Sequence, residues 1–326
     1  MRKVLVTGFA VAVLTVALVA AGCGSGSSGS NGPSTAPSTA GGMTAAQVLA
    51  KAGKAMDGVK SAQFAATVTL GVAGNPGGSS TTAPASATAI VLHVVGTAGT
   101  VKAAPAANVT VSLTAGAKRM SFGIRATGHH AWLGHKGKWY VVPAGKAKAA
   151  GSGASASLGS SASIAGLGIH PQAWAKSSTV TSEQLEGAKV YQVVTTADTA
   201  RIMSDLVKLL TSSAVAKAAA QNSSAGAELN LLKQDPALLK SLQKAFVSAS
   251  AQEWIDASTF RLSQGGIDAR FSFTSGGVTE GLTLHVLYRL SGFGQPVRVV
   301  APKHALPFKQ LSKGLSALGA AGAVGL

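Results

Sequence analysis

Met120-Ser121-Phe122-Gly123-Ile124-Arg125 sets apolar residues at every second position, with small or polar residues between them. Successive side chains leave a strand on opposite sides, so this period of two marks a strand with one buried and one wet face. The pattern recurs along the chain. Val109, Val111 and Leu113 alternate with Thr110, Ser112 and Thr114, and Phe64, Ala66, Val68 and Leu70 alternate with Ala65, Thr67 and Thr69. Ile90–Val95 reads as a further strand, and Ala131–Val142 as a hairpin turning at 134–137 and ended by Pro143. Later, Ile267, Ala269, Phe271 and Phe273 alternate with Asp268, Arg270, Ser272 and Thr274. Leu282, Leu284, Val286 and Tyr288 follow the same rule, and short strands are expected at Val190–Val194 and Val297–Val299. Half-wet strands in series belong to an antiparallel sheet.

Helical signals punctuate the strands. Thr44-Ala45-Ala46-Gln47 fits a capping box, with Val48, Leu49, Ala52, Met56 and Val59 on one stripe and Gly58 as a stop. A second helix is expected to open at Asp198 or Thr199, with Ile202, Leu206 and Leu209 on one side. A third has Asp235 as N-cap and Pro236 at its first position, and carries Leu239, Leu242 and Phe246. The order of helix, meander, helices and meander predicts an α+β fold. One broad antiparallel sheet would have its apolar face covered by the helices, in a single domain at 44–308.

The N-terminus carries a different message. Arg2 and Lys3 precede an apolar run from Phe9 to Ala21, then small residues and Cys23, the one cysteine of the chain. This is the layout of a secretory signal over 1–22. A cysteine at the cut suggests a lipobox, in which Cys23 is acylated and becomes the new N-terminus. Ala20 departs from that pattern, where Leu is commoner. A plain secretory signal with a free thiol, or an uncleaved anchor, are the alternatives. Residues 23–43 are expected to be a lipidated flexible tether, because the Gly, Ser, Pro, Thr, Ala and Asn that make up 24–42 cannot bury a core. The tail at 309–326 is expected to fray. With Cys23 as anchor, no thiol remains for a disulfide, a thiolate metal site or a Cys nucleophile.

The formal net charge of +17 favours anionic partners. On an exported chain those are lipid headgroups or wall polymers. The cations are scattered and no nucleic-acid motif is present, so nucleic acid is not expected as a partner.

Three stretches resemble a known family. They are Gly96-Thr-Ala-Gly99 with Val101 and Pro105; Ala131-Trp132-Leu133 followed by Gly137-Lys138-Trp139-Tyr140; and Glu253-Trp254-Ile255-Asp256 with Thr259, Arg261 and Leu262, continued by Phe293-Gly294-Gln295-Pro296-Val297. Together they resemble the actinobacterial lipoproteins of the LppX/LprG type, within the LolA-like superfamily. The small-residue insert at 144–168 and the Ala-rich region at 199–250 interrupt the family pattern. The resemblance implies a strongly curved antiparallel half-barrel with helices covering its apolar concave face. It also implies an envelope lipoprotein that binds or carries acylated lipids or lipoglycans in an apolar cavity between sheet and helices. The protein would be held at the cell membrane through its N-terminal lipid, facing the extracytoplasmic space. Candidate cavity-lining residues are Val68, Leu70, Val111, Phe122, Ile124, Phe271, Phe273, Leu284 and Val286. Trp132, Trp139 and Tyr140 are candidates for a pocket rim. The alternatives are a regulatory or sensory lipoprotein that binds a partner membrane protein, and a wall-associated structural module.

Catalysis finds little support. The 11 acidic residues are not evidently paired, there is no Gly-x-Ser-x-Gly elbow, and Gly-rich segments lack the Lys-Ser/Thr of a phosphate loop. His129, His130 and His135 cluster without a nearby carboxylate and read as residues of a strand edge and turn. His93 and His285 are expected on polar strand faces. No metal, cofactor or enzymatic activity is therefore expected.

Overall fold

A computed structural model describes residues 39–74, 89–101, 104–128, 130–143, 174–211, 241, 244–275 and 278–311. The signal, most of the tether, the insert at 144–168 and the expected helix start at Asp235 lie outside the described residues.

Among its described residues the chain is mostly β, with few helices. Its strands are β1 (Thr39–Ala40), β2 (Met43–Thr44), β3 (Ser61–Gly74), β4 (Ile90–Val101), β5 (Ala104–Ala115), β6 (Lys118–Thr127), β7 (His130–His135) and β8 (Lys138–Val142). They continue as β9 (Ala175–Leu185), β10 (Ala188–Ala197), β11 (Phe246–Asp256), β12 (Leu262–Ser275), β13 (Val278–Ser291) and β14 (Ala305–Pro307). Two longer helices are described, α1 (Ala45–Asp57) and α2 (Thr199–Thr211). The strands of the large sheet hydrogen-bond in the order β14-β8-β7-β6-β5-β4-β3-β13-β12-β11-β10-β9. The sheet is mixed, which corrects the expectation of an antiparallel one. β14 runs parallel to β8, because the irregular stretch 292–304 brings the chain back to that edge in the direction of β8. Pro296 and Pro302 in that stretch have no N–H to donate to a ladder, and no strand forms at Val297–Val299.

The described residues gather into two compact units. The first takes in the described residues within Met1–Gly58, Val68–Ala89 and Ser160–Leu287, and the second those within Val59–Thr67, Ile90–Gly159 and Tyr288–Leu326.

In the first unit α1 begins on the expected capping box. Gln47 N donates to Thr44 Oγ1 at 3.4 Å, and Thr44 N donates to Gln47 Oε1 at 2.9 Å. The stripe it projects, Val48 and Ala52, seals a core with Val180, Tyr191, Val193 and Ile255. β1 and β2 pair across Gly41-Gly42, so the stretch expected as tether is already ordered from Thr39, and Ala40 joins that core. β9 is an element the sequence pattern does not reveal. Only Val180 of its eleven residues is fully buried, so no alternation shows, and the strand is found only through its pairing with β10. Phe246, expected on a helix, instead opens β11 and stacks on Phe271 of β12 at 4.9 Å.

In the second unit β4 to β8 form an antiparallel meander whose register is continuous. The β7–β8 turn holds Lys136 at φ 50° and Gly137 at φ 76°. Two consecutive positive-φ residues suit a two-residue hairpin whose twist matches its strands. Gly99 explains part of the Gly96–Gly99 signature. A Cβ there would lie 2.6 Å from the carbonyl oxygen of Lys60, which accepts a hydrogen bond from Thr100 N at 3.0 Å. The tail begins with a helical turn at 308–311, and Phe308 and Leu311 are buried against Tyr140.

Candidate functional site

The register of the second unit sorts its side chains onto two faces. Val94 pairs with Val111, and Val111 with Phe122. Leu92 pairs with Leu113, and Leu113 with Met120; Val109 pairs with Ile124, and Ile124 with Leu133. Directly paired residues share a face, so these form a continuous apolar surface across four strands. Its far end is closed by Tyr140, Phe308 and Leu311, with Phe122, Leu133, Val142 and Leu306 packed beside them. Toward β4 and β5 the apolar residues are only half-buried, and Ile124 is 37% exposed.

The opposite face is polar and aromatic. Trp139 lies over Gly123 and Gly134, where a Cβ would meet its ring at 2.8 and 3.0 Å. Both glycines are therefore needed for the indole to lie flat on the sheet. Arg125 covers that ring at 4.3 Å, and its Nη1 donates to the carbonyl of Val300 at 3.0 Å. His130 stacks on Trp132 at 6.0 Å.

The candidate residues are thus divided. Val111, Phe122 and Ile124 lie on the apolar face of the second unit. Phe271 and Phe273 are half-buried in the first unit and continue the stack from Phe246, 6.4 Å apart. Leu70, Leu284 and Val286 are buried, and Val68 is half-buried. Of the expected rim, Trp132 and Trp139 share the polar face, whereas Tyr140 points to the other face and is buried. Leu92, Val94, Leu113 and Met120 extend the apolar face beyond the residues singled out from sequence. Their positional parity along the strands was the available signal.

The histidines are dispersed. His135 stacks on Phe122 at 4.8 Å, while His285 pairs with Asp268 at 2.7 Å between exposed side chains. His93 is exposed, and His129 lies outside the described residues. No group of three or more His, Cys, Asp or Glu among the described residues is placed to hold a metal ion.

Two carboxylates hold structure. Asp205 on α2 is buried, accepts from Trp174 Nε1 at 2.8 Å and pairs with Lys208 Nζ at 2.8 Å. Burial opposes its ionisation, but the Lys208 ammonium and the Trp174 indole more than offset that, so its carboxyl titrates below the ordinary value. Asp256 organises the turn that follows β11. Its Oδ1 accepts from Ser258 Oγ at 2.6 Å, Thr259 N at 2.7 Å, Thr259 Oγ1 at 2.8 Å and Ser258 N at 3.0 Å. The Ser258 hydroxyl contributes most to lowering its pKa. The turn delivers Phe260, at φ 56°, against Tyr191 at 6.0 Å, with Lys51 Nζ 4.6 Å from the Phe260 ring centroid. The Trp-Ile-Asp signature is therefore a turn motif at the rim of the first unit's core.

Removing the Asp256 carboxylate should cost about 1–2 kcal/mol, since the turn is partly solvated and each net bond is modest. Because the folded pKa is depressed, the ionised group stabilises the fold above its ordinary value of 3.8. That contribution is lost as the pH falls through the lower, folded value. Asp256→Asn keeps an acceptor oxygen and removes the titration. Urea melts between pH 5 and about pH 2 should therefore fall less steeply for this variant than for the parent chain.

No family model matches the chain, and no curated protein matches it. Among solved structures, the crystal structure of LprF from Mycobacterium bovis matches 79% of this chain and 96% of its own, at 16% identity and a TM-score of 0.38. A likeness this loose assigns neither fold nor ligand.

Proposed function

We propose that the protein is an envelope lipoprotein, anchored through Cys23, that binds the acyl chains of a lipid or lipoglycan. The chains would lie against the apolar face of the sheet, the sheet being the strongly curved half-barrel that the sequence resemblance implies. One observation carries the reading. The apolar register Val94–Val111–Phe122 and Leu92–Leu113–Met120 is continuous, yet its residues are half-buried rather than sealed. A core normally buries such residues fully, and apolar surface left partly accessible beside a few polar groups is the usual lining of a ligand site. The role is binding, with no chemical step.

Lipid transfer tests this in solution. The protein should move a labelled diacyl lipid from donor to acceptor vesicles, and an excess of unlabelled lipid should compete. Transfer no faster than in protein-free controls would refute the proposal.

A further inference from the structure

The division into two units exposes a separation of charge that the composition hides. Among the described residues, the nine acidic residues all fall in the first unit beside nine Lys and Arg, while the second unit has ten Lys and Arg and no acidic residue. The formal charge of the described residues is therefore zero for the first unit and +10 for the second. Within the second unit the topology concentrates four of these cations. β6 and β7 pair side by side, so the β5–β6 turn and the β7–β8 turn emerge at the same end of the sheet. Lys118 and Arg119 leave the first turn, and Lys136 and Lys138 form the second. All four are exposed, and none takes part in an ion pair among the described residues.

We propose that this end of the second unit docks on an anionic phospholipid bilayer. Like charges left together at an exposed site repel one another, and a negatively charged surface relieves that repulsion. Two further observations favour a bilayer over a soluble polyanion. Trp139, half-buried with its ring between Arg125 and the glycines at 123 and 134, follows Lys138 directly, and Val141 on the same face is 42% exposed. Indole rings and apolar side chains beside ammonium groups suit the boundary between headgroups and acyl chains, whereas a hydrated polymer offers that apolar surface nothing. The docking surface does not depend on whether the apolar face of the sheet holds an acyl chain.

The test is partitioning of the full chain onto vesicles of phosphatidylcholine alone and onto vesicles with about 30% phosphatidylglycerol. The ratio of the two partition coefficients cancels whatever the N-terminal apolar stretch contributes to both. Each cation near an anionic surface is worth about a fivefold gain in binding. The combined K118Q, R119Q, K136Q and K138Q variant should therefore lower the ratio at least tenfold, and raising the salt should lower it for the parent chain. Lys54, Lys176 and Lys189 are exposed cations of the first unit. Their combined change to Gln should leave the ratio within about twofold. Circular dichroism establishes that each variant is folded, and the salt dependence of the parent stands independently of the variants. An unchanged ratio in the four-site variant would overturn the proposal, as would an equal fall in the first-unit control. So would a parent chain that binds soluble polyphosphate but shows no preference for phosphatidylglycerol.

Discussion

Asp205→Ala should destabilise the protein by about 2–3 kcal/mol and lower its Tm by roughly 5–10 °C. The carboxylate is 3% exposed, and it holds together two parts of the first unit that are distant in sequence. Its Oδ2 accepts the indole N–H of Trp174, just ahead of β9, and its Oδ1 pairs with Lys208 on its own helix. Asp198 N donates to Trp174 O at 2.6 Å, and Asp198 Oδ1 accepts from Arg201 N, so the start of α2 is tied to the same residue. Alanine leaves the buried indole N–H without its acceptor, which is the costly half of a lost hydrogen bond. Lys208 is half-exposed and rehydrates, so its share of the loss is small. Asp205→Asn retains an acceptor for Trp174 and should lose less than half as much. The folded pKa of Asp205 is depressed, so its contribution is present above the ordinary value of 3.8 and fades as the pH drops through the folded value. The Ala and parent chains should therefore converge in stability at the acid end. Thermal melts across pH, with Trp fluorescence as readout, check both expectations. A loss under 1 kcal/mol at neutral pH would show that Trp174 does not depend on this carboxylate.

Val111→Asp should reduce acyl-lipid binding at least tenfold. Val111 lies between Val94 and Phe122 in the register, midway across the half-buried apolar surface. A carboxylate there must either keep its water, which bars an acyl chain, or lose it at a cost of several kcal/mol. A tenfold loss needs only about 1.4 kcal/mol of that. Val111→Leu preserves the apolar surface and should bind normally. Thr110→Asp is the control for strand damage. Thr110 is the next residue on β5, faces the other side of the sheet opposite Val95 and Gly123, and should leave binding unchanged. Equilibrium binding of a fluorescent fatty acid measures all three. Equal losses at Val111 and Thr110 would point to a disturbed strand rather than an occluded surface.

The legible part of this molecule was local. Alternation marked β5, β6, β12 and β13, and the Thr44–Gln47 box fixed the start of α1. β9 stayed hidden, because an edge strand with a single fully buried residue has no period to read. The parallel pairing of β14 with β8 depends on where an irregular return segment lands, which no local pattern encodes. The Trp132, Trp139 and Tyr140 group shows the same limit within a site. Adjacent residues on a strand face opposite ways, so Trp139 and Tyr140 could not share a rim. The apolar face was partly visible through Val111, Phe122 and Ile124, while its extension to Leu92 and Met120 required the register. The charge separation was invisible until the chain could be divided in space, because the second unit is assembled from three separate stretches of sequence.

Native mass spectrometry of the protein purified from an actinobacterial host tests acyl-lipid binding most directly. The account predicts a bound species heavier than the protein by the mass of one acylated lipid, released on activation and strongly depleted in Val111→Asp. A folded parent protein that carries no lipid from such a host would contradict it, as would undiminished lipid in Val111→Asp.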